Sequence, residues 1–500
     1  MSLIHVKNLT FGYEGSYCNI FENVSFMIDT EWKLGLVGRN GRGKTTFLNL
    51  LIGKYPYSGK IISDTDFIYF PFYISDKSEF TMDVLNKIAP QVEDWEFIKE
   101  LSLLDMSADI LYRSFETLSG GEQTKALLSA LFLRQNQFLL IDEPTNHLDV
   151  TSRNIIGEYL RKKKSFILIS HDRKLLDSCT DHTLSINKTN IEVLRGNFSI
   201  WWEQNTKREL FEITQNERLL RDIERLSKAS KQAKAWSDKA ESRKIGFNPV
   251  KTEKSLNRRP IEGKKSKKMM AHSKAIQKRK QAAIEEKASL LKNIEVTENL
   301  KINTIDYYKN LFLECKDLSL FYGEKQVNEP ITFNVNQGEK IALTGINGCG
   351  KSTLLKLLMG KKIDYTGVFN ISSQLRISYV GQDTSNLCGK LHDYAEVSGI
   401  DESFFKAILR KLDFSRTQFD KPIETFSSGQ KKKVLIAKSL SEKAHLYLWD
   451  EPLNFIDVFS RIQIEELIKN SSATMIFVEH DKTFTDKISS RKVQIQKKDN

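Results

Sequence analysis

The stretch LGLVGRNGRGKTTFLNLL (residues 34–51) returns later in the chain as IALTGINGCGKSTLLKLL (341–358). In each, an apolar run of strand character leads into a glycine-rich turn and then into an apolar helix. Glycines let backbone N–H groups curl inward around anionic oxygens, and the N-terminus of the following helix adds its partial positive charge. The pattern predicts phosphate-binding loops in an α/β fold. A chance glycine turn is set aside because the motif occurs twice in the same strand–turn–helix setting. The first loop is Gly38, Arg39, Asn40, Gly41, Arg42, Gly43, Lys44, Thr45 and Thr46. The second is Gly345, Ile346, Asn347, Gly348, Cys349, Gly350, Lys351, Ser352 and Thr353. Lys44 and Lys351 are expected to reach the β/γ-phosphates of ATP, and Thr45 and Ser352 to place a hydroxyl on Mg²⁺.

Other elements repeat at matching offsets. From Lys44 to Ser119 of LSGGEQ is 75 residues, and from Lys351 to Ser427 of FSSGQK is 76. From those serines to Asp142 and Asp450 is 23 in both copies, and from the aspartates to His171 and His480 is 29 and 30. The chain is therefore an internal duplication of units of roughly 200 residues, an ordinary domain size. The expected organisation is a first nucleotide-binding domain at 1–204, a linker at 205–303 and a second nucleotide-binding domain at 304–500.

At 500 residues, with 40% apolar and 28% charged positions, the composition is that of a soluble globular chain of two or three domains. No apolar run approaches a membrane span, and the N-terminus lacks the apolar core of a signal peptide. Cys18, Cys179, Cys315, Cys349 and Cys388 are scattered without a CxxC pair, which argues for a reducing compartment and against a zinc ribbon. A cytoplasmic location is expected.

The net charge of +12 is concentrated. Residues 228–280 hold 18 Lys plus Arg against 4 Asp plus Glu, so everything else is close to neutral. The linker is rich in helix formers. Leu219, Ile223, Leu226 and Ala233 fall at helical spacing, as do Ile284, Ala288, Leu291 and Ile294 on the return. IGFNPV (245–250) and RRPIEG (258–263) carry the helix breakers between them. An antiparallel helical hairpin follows, its outgoing helix about 58 Å long if it runs from 205 to 243. Residues 207–227 balance five basic against five acidic residues, so the surplus lies toward the tip. A solvated hairpin face does not explain that gradient, and a membrane surface would call for a broad apolar face. A polyphosphate partner does explain it. The candidate RNA contacts are Arg243, Lys244, Lys251, Lys254, Arg258, Arg259, Lys264, Lys265, Lys267 and Lys268.

With these motifs assembled, both flanks of the chain resemble the nucleotide-binding domains of the ABC ATPases. FLLIDEP (138–144) and LYLWDEP (446–452) resemble Walker B strands. The resemblance implies that Asp142 and Asp450 hold Mg²⁺, that Glu143 and Glu451 act as general bases toward the attacking water, and that His171 and His480 contact the γ-phosphate. It also implies that Tyr13 and Tyr322 stack on adenine, against the plain alternative of core tyrosines. Gln382 in ISYVGQD matches the family's Mg²⁺-ligating glutamine, whereas the first domain has Phe72 there. In this family the domains close head to tail, so each ATP faces the opposite signature helix. Site one would join Lys44 and Glu143 to Ser427, Ser428 and Gly429. Site two would join Lys351 and Glu451 to Ser119, Gly120 and Gly121. Both departures, Phe72 and Ser428 in place of a glycine, fall in site one. It is therefore expected to close less well and turn over more slowly.

Two such domains flanking a charged hairpin resemble the ABC-F ATPases that act on ribosomes. EPTNHLD (143–149) is close to that family's motif, and RGNFSIWWEQ (195–204) is similar to its approach to the linker. EPLNFID (451–457) resembles the antibiotic-resistance, ribosome-protection branch, and the short stretch between Phe72 and Ser119 and the absence of a C-terminal extension suit its Lsa type. The resemblance implies a monomer whose two domains pair intramolecularly. It would bind the ribosomal exit site with ATP and extend its hairpin along ribosomal RNA and P-site tRNA. There it would dislodge lincosamides, streptogramin A or pleuromutilins. A housekeeping translation factor, the motor of a membrane exporter and a coiled-coil DNA-repair ATPase are the alternatives. The last lacks its expected CxxC motifs, and the exporter leaves the charge gradient unexplained.

Overall fold

The computed structural model describes residues 2–14, 19–134, 136–145, 148–187, 190–245, 302, 304–323 and 325–498, with 264, 267, 268, 270–272, 274–282 and 284. Two compact units emerge: Met1–Ser199 with Thr297–Asn500, and Ile200–Val296.

The first unit contains two α/β domains of the same plan. In the first domain a sheet runs Asp66–Phe70, Gln137–Asp142, Phe166–Ile169, Lys33–Val37, His182–Ile186, Ile191–Arg195, parallel except for the last strand. In the second domain an all-parallel sheet runs Ile377–Val380, Leu446–Asp450, Thr474–Val478, Lys340–Thr344, Arg491–Gln494. Helices cover both faces, so the central strands FLLI and LYLW are continuous apolar runs without polar alternation. Leu140, Ile141, Leu448 and Trp449 are wholly buried. The indole Nε1 of Trp449 keeps a partner, donating to Ser439 Oγ at 2.9 Å. A separate antiparallel sheet packs beside each core, built on Leu3–Phe11 and on Leu311–Tyr322. The strands carrying the glycine-rich loops and the aspartates lie one strand apart in each sheet, which brings the C-terminal ends of both to the same edge.

In the second unit a single helix, Phe198–Ile245, runs 48 residues. It starts before the expected position near 205 and is about 72 Å long at 1.5 Å per residue. Leu219, Ile223 and Leu226 are half-buried among exposed neighbours, as the seam requires. The described positions of 264–284 are helical. Lys280 Nζ donates to Ser227 Oγ at 3.4 Å, and Ile276 is buried. Ile284, expected on the seam, is exposed, and Ile276 is buried instead. Ala233 has no described side chain, and Ala288, Leu291, Ile294 and the tip at 246–263 lie outside the described residues.

Candidate active site

Each glycine-rich loop closes around its own lysine. Gly43 and Gly350 take φ of 90° and 98°, conformations that a side chain would strain, and each caps the helix that follows. Lys44 Nζ donates to the carbonyls of Gly38 and Arg39 at 2.7 and 3.2 Å and to Asn40 Oδ1 at 3.2 Å. Lys351 Nζ donates to the carbonyls of Gly345 and Ile346 at 2.8 and 2.9 Å. Both lysines are buried. Burial pulls the Lys44 ammonium below its usual range against the opposing charges of Asp457, Glu143 and Asp142. A desolvated cation ringed by carbonyls is matched to a polyanion arriving from the loop side.

Thr45 Oγ1 donates to Asp142 Oδ2 at 2.7 Å, and Ser352 Oγ donates to Asp450 Oδ1 at 3.1 Å. A hydroxyl beside a carboxylate is the all-oxygen donor set that Mg²⁺ takes with phosphates, so the residues fit that ion. Gln382 Nε2 also donates to Asp450 Oδ1, at 3.2 Å. Phe72 instead packs edge-on against Phe70 with ring centroids 6.1 Å apart, and Asp142 accepts its further hydrogen bond from Tyr69 Oη at 3.1 Å.

Glu143 and Glu451 stand in left-handed backbone, φ 51° and 47°, an uncommon conformation for such residues. It is held by hydrogen bonds from their amides to the Ile169 and Val478 carbonyls at 2.9 and 3.0 Å. That turn aims each carboxylate at a histidine. His171 Nε2 is 3.2 Å from Glu143 Oε1, and His480 Nε2 is 3.4 Å from Glu451 Oε1. The two carboxylates are shifted in opposite directions. Burial, and next the charge of Asp142, push Glu143 up to about 8. Burial and then the charges of Lys44 and Arg461 hold His171 well below the usual imidazole range, so a neutral ring faces Glu143. Glu143 Oε1 is buried without an aligned hydrogen-bond partner. Burial alone would raise Glu451 too, but His480, the Asn454 amide and Lys351 hold it below its usual value. Asn454 Nδ2 donates to Glu451 Oε2 at 2.7 Å.

The halves of site one are in contact. Asn40 Nδ2 donates to the Phe455 carbonyl at 3.0 Å, and Arg39 and Arg42 lie 4.0 and 3.9 Å from Asp413. Phe455 presents that carbonyl from left-handed backbone, φ 64°. A Cβ at Gly429 would fall 2.4 Å from the Phe455 oxygen and 3.2 Å from Asn40 Nδ2, so the approach depends on glycine there. Asp457, buried with Lys433 at 2.9 Å, adds a carboxylate of the second domain to the field at Lys44. Around Lys351 there is instead a cleft of about 600 Å³, lined by Tyr322, Ser352, Gln382, Glu451, His480 and, from the first domain, Arg153. Ser119, Gly120 and Gly121 do not line it. The crowding expected from Ser428 is thus corrected. Ser428 is not the point of approach; Gly429 is, and that glycine is present.

Ser119 and Ser427 each accept from the amide three residues on, Glu122 and Gln430, at 3.3 Å, and those side chains return the bond to the serine amides. Both signature helices therefore begin with a capping box. Tyr13 and Tyr322 are exposed and so are not core tyrosines; Tyr13 Oη is 2.9 Å from Thr46 Oγ1. Of the candidate RNA contacts, Lys264, Lys267 and Lys268 are exposed on helix. The side chains of Arg243 and Lys244, and residues Lys251, Lys254, Arg258, Arg259 and Lys265, lie outside what is described.

Sequence reading missed Tyr69, Asn454, Asp457 and the pair Arg153 and Arg461. The last two were findable, since each lies ten residues after its glutamate. It also missed a bidentate pair across the domains, in which both guanidinium nitrogens of Arg173 donate to Glu465, the Nη1 bond being 3.2 Å. Asp481 stands 3.8 Å from Arg173 and accepts from Arg461 at 3.1 Å.

Comparison with known proteins agrees with this geometry. The family described as ABC transporter matches residues 21–146 and again 328–454. Ribosome protection protein VmlR of Bacillus subtilis is 28% identical over 494 residues, covering 97% of this chain and 85% of that protein. Erythromycin resistance ATP-binding protein MsrA of Staphylococcus epidermidis is 28% identical over 474 residues, covering 93% of this chain and 92% of its own. Among solved structures, RNase-L Inhibitor superposes with a TM-score of 0.62 at 20% identity, over 98% of this chain and 90% of that one, a likeness of fold. No helix among the described residues is long and apolar enough to cross a membrane. With the family matched over half its length, the chain belongs to the ABC transporter family, as an ATP-hydrolysing enzyme that carries the family's ATP-binding domain twice.

Proposed function

We propose that this chain is a cytoplasmic, monomeric ABC-F ATPase of the ribosome-protection kind, Lsa type. With ATP bound it would sit at the ribosomal exit site and reach along ribosomal RNA and P-site tRNA with its basic linker, dislodging lincosamides, streptogramin A or pleuromutilins. Hydrolysis would release it. The observation that carries this reading is the charge of the linker: 18 basic against 4 acidic residues in 228–280, in a segment whose described residues are helical and which follows the first ATPase domain in the sequence and precedes the second. Two relatives of the whole chain, named for ribosome protection and for erythromycin resistance, support it.

In this reading Lys44 and Lys351 bind the β/γ-phosphates, and Tyr13 and Tyr322 stack on adenine. Thr45, Asp142, Ser352, Asp450 and Gln382 hold the ion. Glu143 and Glu451 take the proton of the attacking water, oriented by His171 and His480. An ion held there would supply positive charge to offset that of the phosphates. Arg243, Lys244, Lys251, Lys254, Arg258, Arg259, Lys264, Lys265, Lys267 and Lys268 neutralise backbone phosphates.

The test is co-sedimentation of a Glu143→Gln, Glu451→Gln chain with ribosomes in ATP, over a salt series. Binding should fall steeply with salt. Alanine at Lys264, Lys265, Lys267 and Lys268 should flatten the log–log slope by about 3, at roughly 0.7–0.9 for each phosphate no longer neutralised. An unchanged slope makes the run a solvated helix face. A drug-susceptibility panel in a sensitive Gram-positive host separates protection from a housekeeping role, which would leave every inhibitory concentration unchanged.

A further inference from the structure

The strands Asp66–Phe70 and Ile377–Val380 hold the same edge position beside the strands that end in Asp142 and Asp450. Tyr69 is in register with Leu140, and Tyr379 with Leu448, so the two tyrosines are equivalent. Their hydroxyls go to different places. Tyr69 Oη donates to Asp142 Oδ2 at 3.1 Å, the oxygen that also accepts from Thr45. Asp450 accepts instead from Ser352 and from the Gln382 amide.

The two domains also differ two residues further on. A Cβ at Gly381 would sit 2.8 Å from Tyr379 Cε1 and 3.2 Å from its hydroxyl, so that ring lies across space only glycine leaves open. The first domain has Pro71 at this place, and there Tyr69 turns to the aspartate. The next residue is Gln382 in one domain and Phe72 in the other. The two exchanges fall together. Where the glutamine is present, the tyrosine is laid over a glycine; where it is replaced, a proline stands at that place and the tyrosine meets the carboxylate.

We propose that Tyr69 is the positioning residue for the metal-binding aspartate of site one, doing from a strand what Gln382 does from a loop in site two. A ladder-bonded strand residue cannot swing out as a loop residue can. The metal centre of site one therefore stays assembled through the cycle, while that of site two forms anew at each closure.

The inference rests on reading Asp142 as the magnesium aspartate. The test uses the full chain with a non-hydrolysable ATP analogue and Mn²⁺ as the spin probe, titrated by electron paramagnetic resonance. Asp142→Asn should remove one of two Mn²⁺ sites; if both survive, the reading of Asp142 fails. Tyr69→Phe should weaken that same site by about tenfold, the loss expected when a charged group gives up one hydrogen bond, and leave the other unchanged. Gln382→Ala should do the reverse. Both sites at wild-type affinity in Tyr69→Phe, while Asp142→Asn removes one, overturns the proposal. An independent arm keeps Tyr69 and changes the loop. In Pro71→Gly with Phe72→Gln, Mn²⁺ exchange at site one should approach that of site two, and an unaltered exchange rate likewise counts against it.

Discussion

The two ATP sites repeat one set of motifs in two mechanical settings. Around Lys44 the domains touch, through Asn40 and Phe455 and through the pairing of Arg39 and Arg42 with Asp413. Around Lys351 they leave a cleft with one first-domain side chain, Arg153, on its wall. The bidentate pair of Arg173 with Glu465 also joins the two domains, and its mirror image cannot form. Lys482 stands where Arg173 stands, exposed, and Gly157 stands where Glu465 stands. A duplicated chain can thus keep its chemistry twice and carry this ion pair once. Among the described residues, Asn40 meets Phe455 at site one, and at site two Asp149, Val150 and Thr151 of the first domain line a cavity with Gly345, Ile346 and His480.

The largest expected effect tests whether both glutamates act. Glu143→Gln with Glu451→Gln should slow hydrolysis by about 10³, within the usual range for losing a general base, and leave ATP binding intact. Normal hydrolysis in that protein would break the comparison at its root. Of the single variants, Glu451→Gln should lower the single-turnover rate of hydrolysis more than Glu143→Gln; the opposite order would make site one the faster.

The ion pair is tested next. Arg173→Ala leaves the buried Glu465 carboxylate with Lys487 alone, at 3.4 Å, and should cost about 3 kcal/mol, visible as a lowered midpoint of thermal unfolding. Lys482→Ala should change stability by less than about 0.5 kcal/mol. Equal effects would mean that the one-sided pair does not hold the domains together.

The subtlest difference concerns pH. A base must be ionised, and Glu143 is pushed up to about 8 whereas Glu451 is held below its usual value. Turnover by Glu451→Gln, which leaves site one working, should therefore rise with pH and reach half its plateau near 8. Turnover by Glu143→Gln should already be level at neutral pH. Parallel profiles would show that bound nucleotide equalises the two carboxylates.

The phosphate loops, the aspartate strands and the histidines were legible in the sequence because each is a contiguous motif whose meaning is local. Lys44 closes on carbonyls five and six residues away, and no other part of the fold is needed to predict that. The α/β plan followed from the same strand–turn–helix order. What stayed hidden depends on groups far apart in the chain. Arg173 and Glu465 are separated by 292 residues, and nothing in either neighbourhood announces the other. Ser428 was read as an obstacle from a motif comparison, but crowding depends on where a side chain points, and it is Gly429 that the opposing loop approaches. Tyr69 was invisible for a like reason. Its hydroxyl meets Asp142, 73 residues away, and nothing in the local motif announces that partner.

The capping boxes at Ser119 and Ser427 have a consequence for the entropy of nucleotide capture. A serine hydroxyl has one proton to give and two lone pairs to offer. Capping occupies a lone pair only and fixes the rotamer, so the proton remains available to an incoming phosphate oxygen. A freely turning serine would surrender its rotational freedom on binding; these two have surrendered it to their own helices already. Replacement by glycine would keep most of the helix cap, since glycine serves nearly as well at that position, while removing the proton. The two duties of one hydroxyl, starting a helix and greeting a phosphate, are therefore separable by a single substitution at each site.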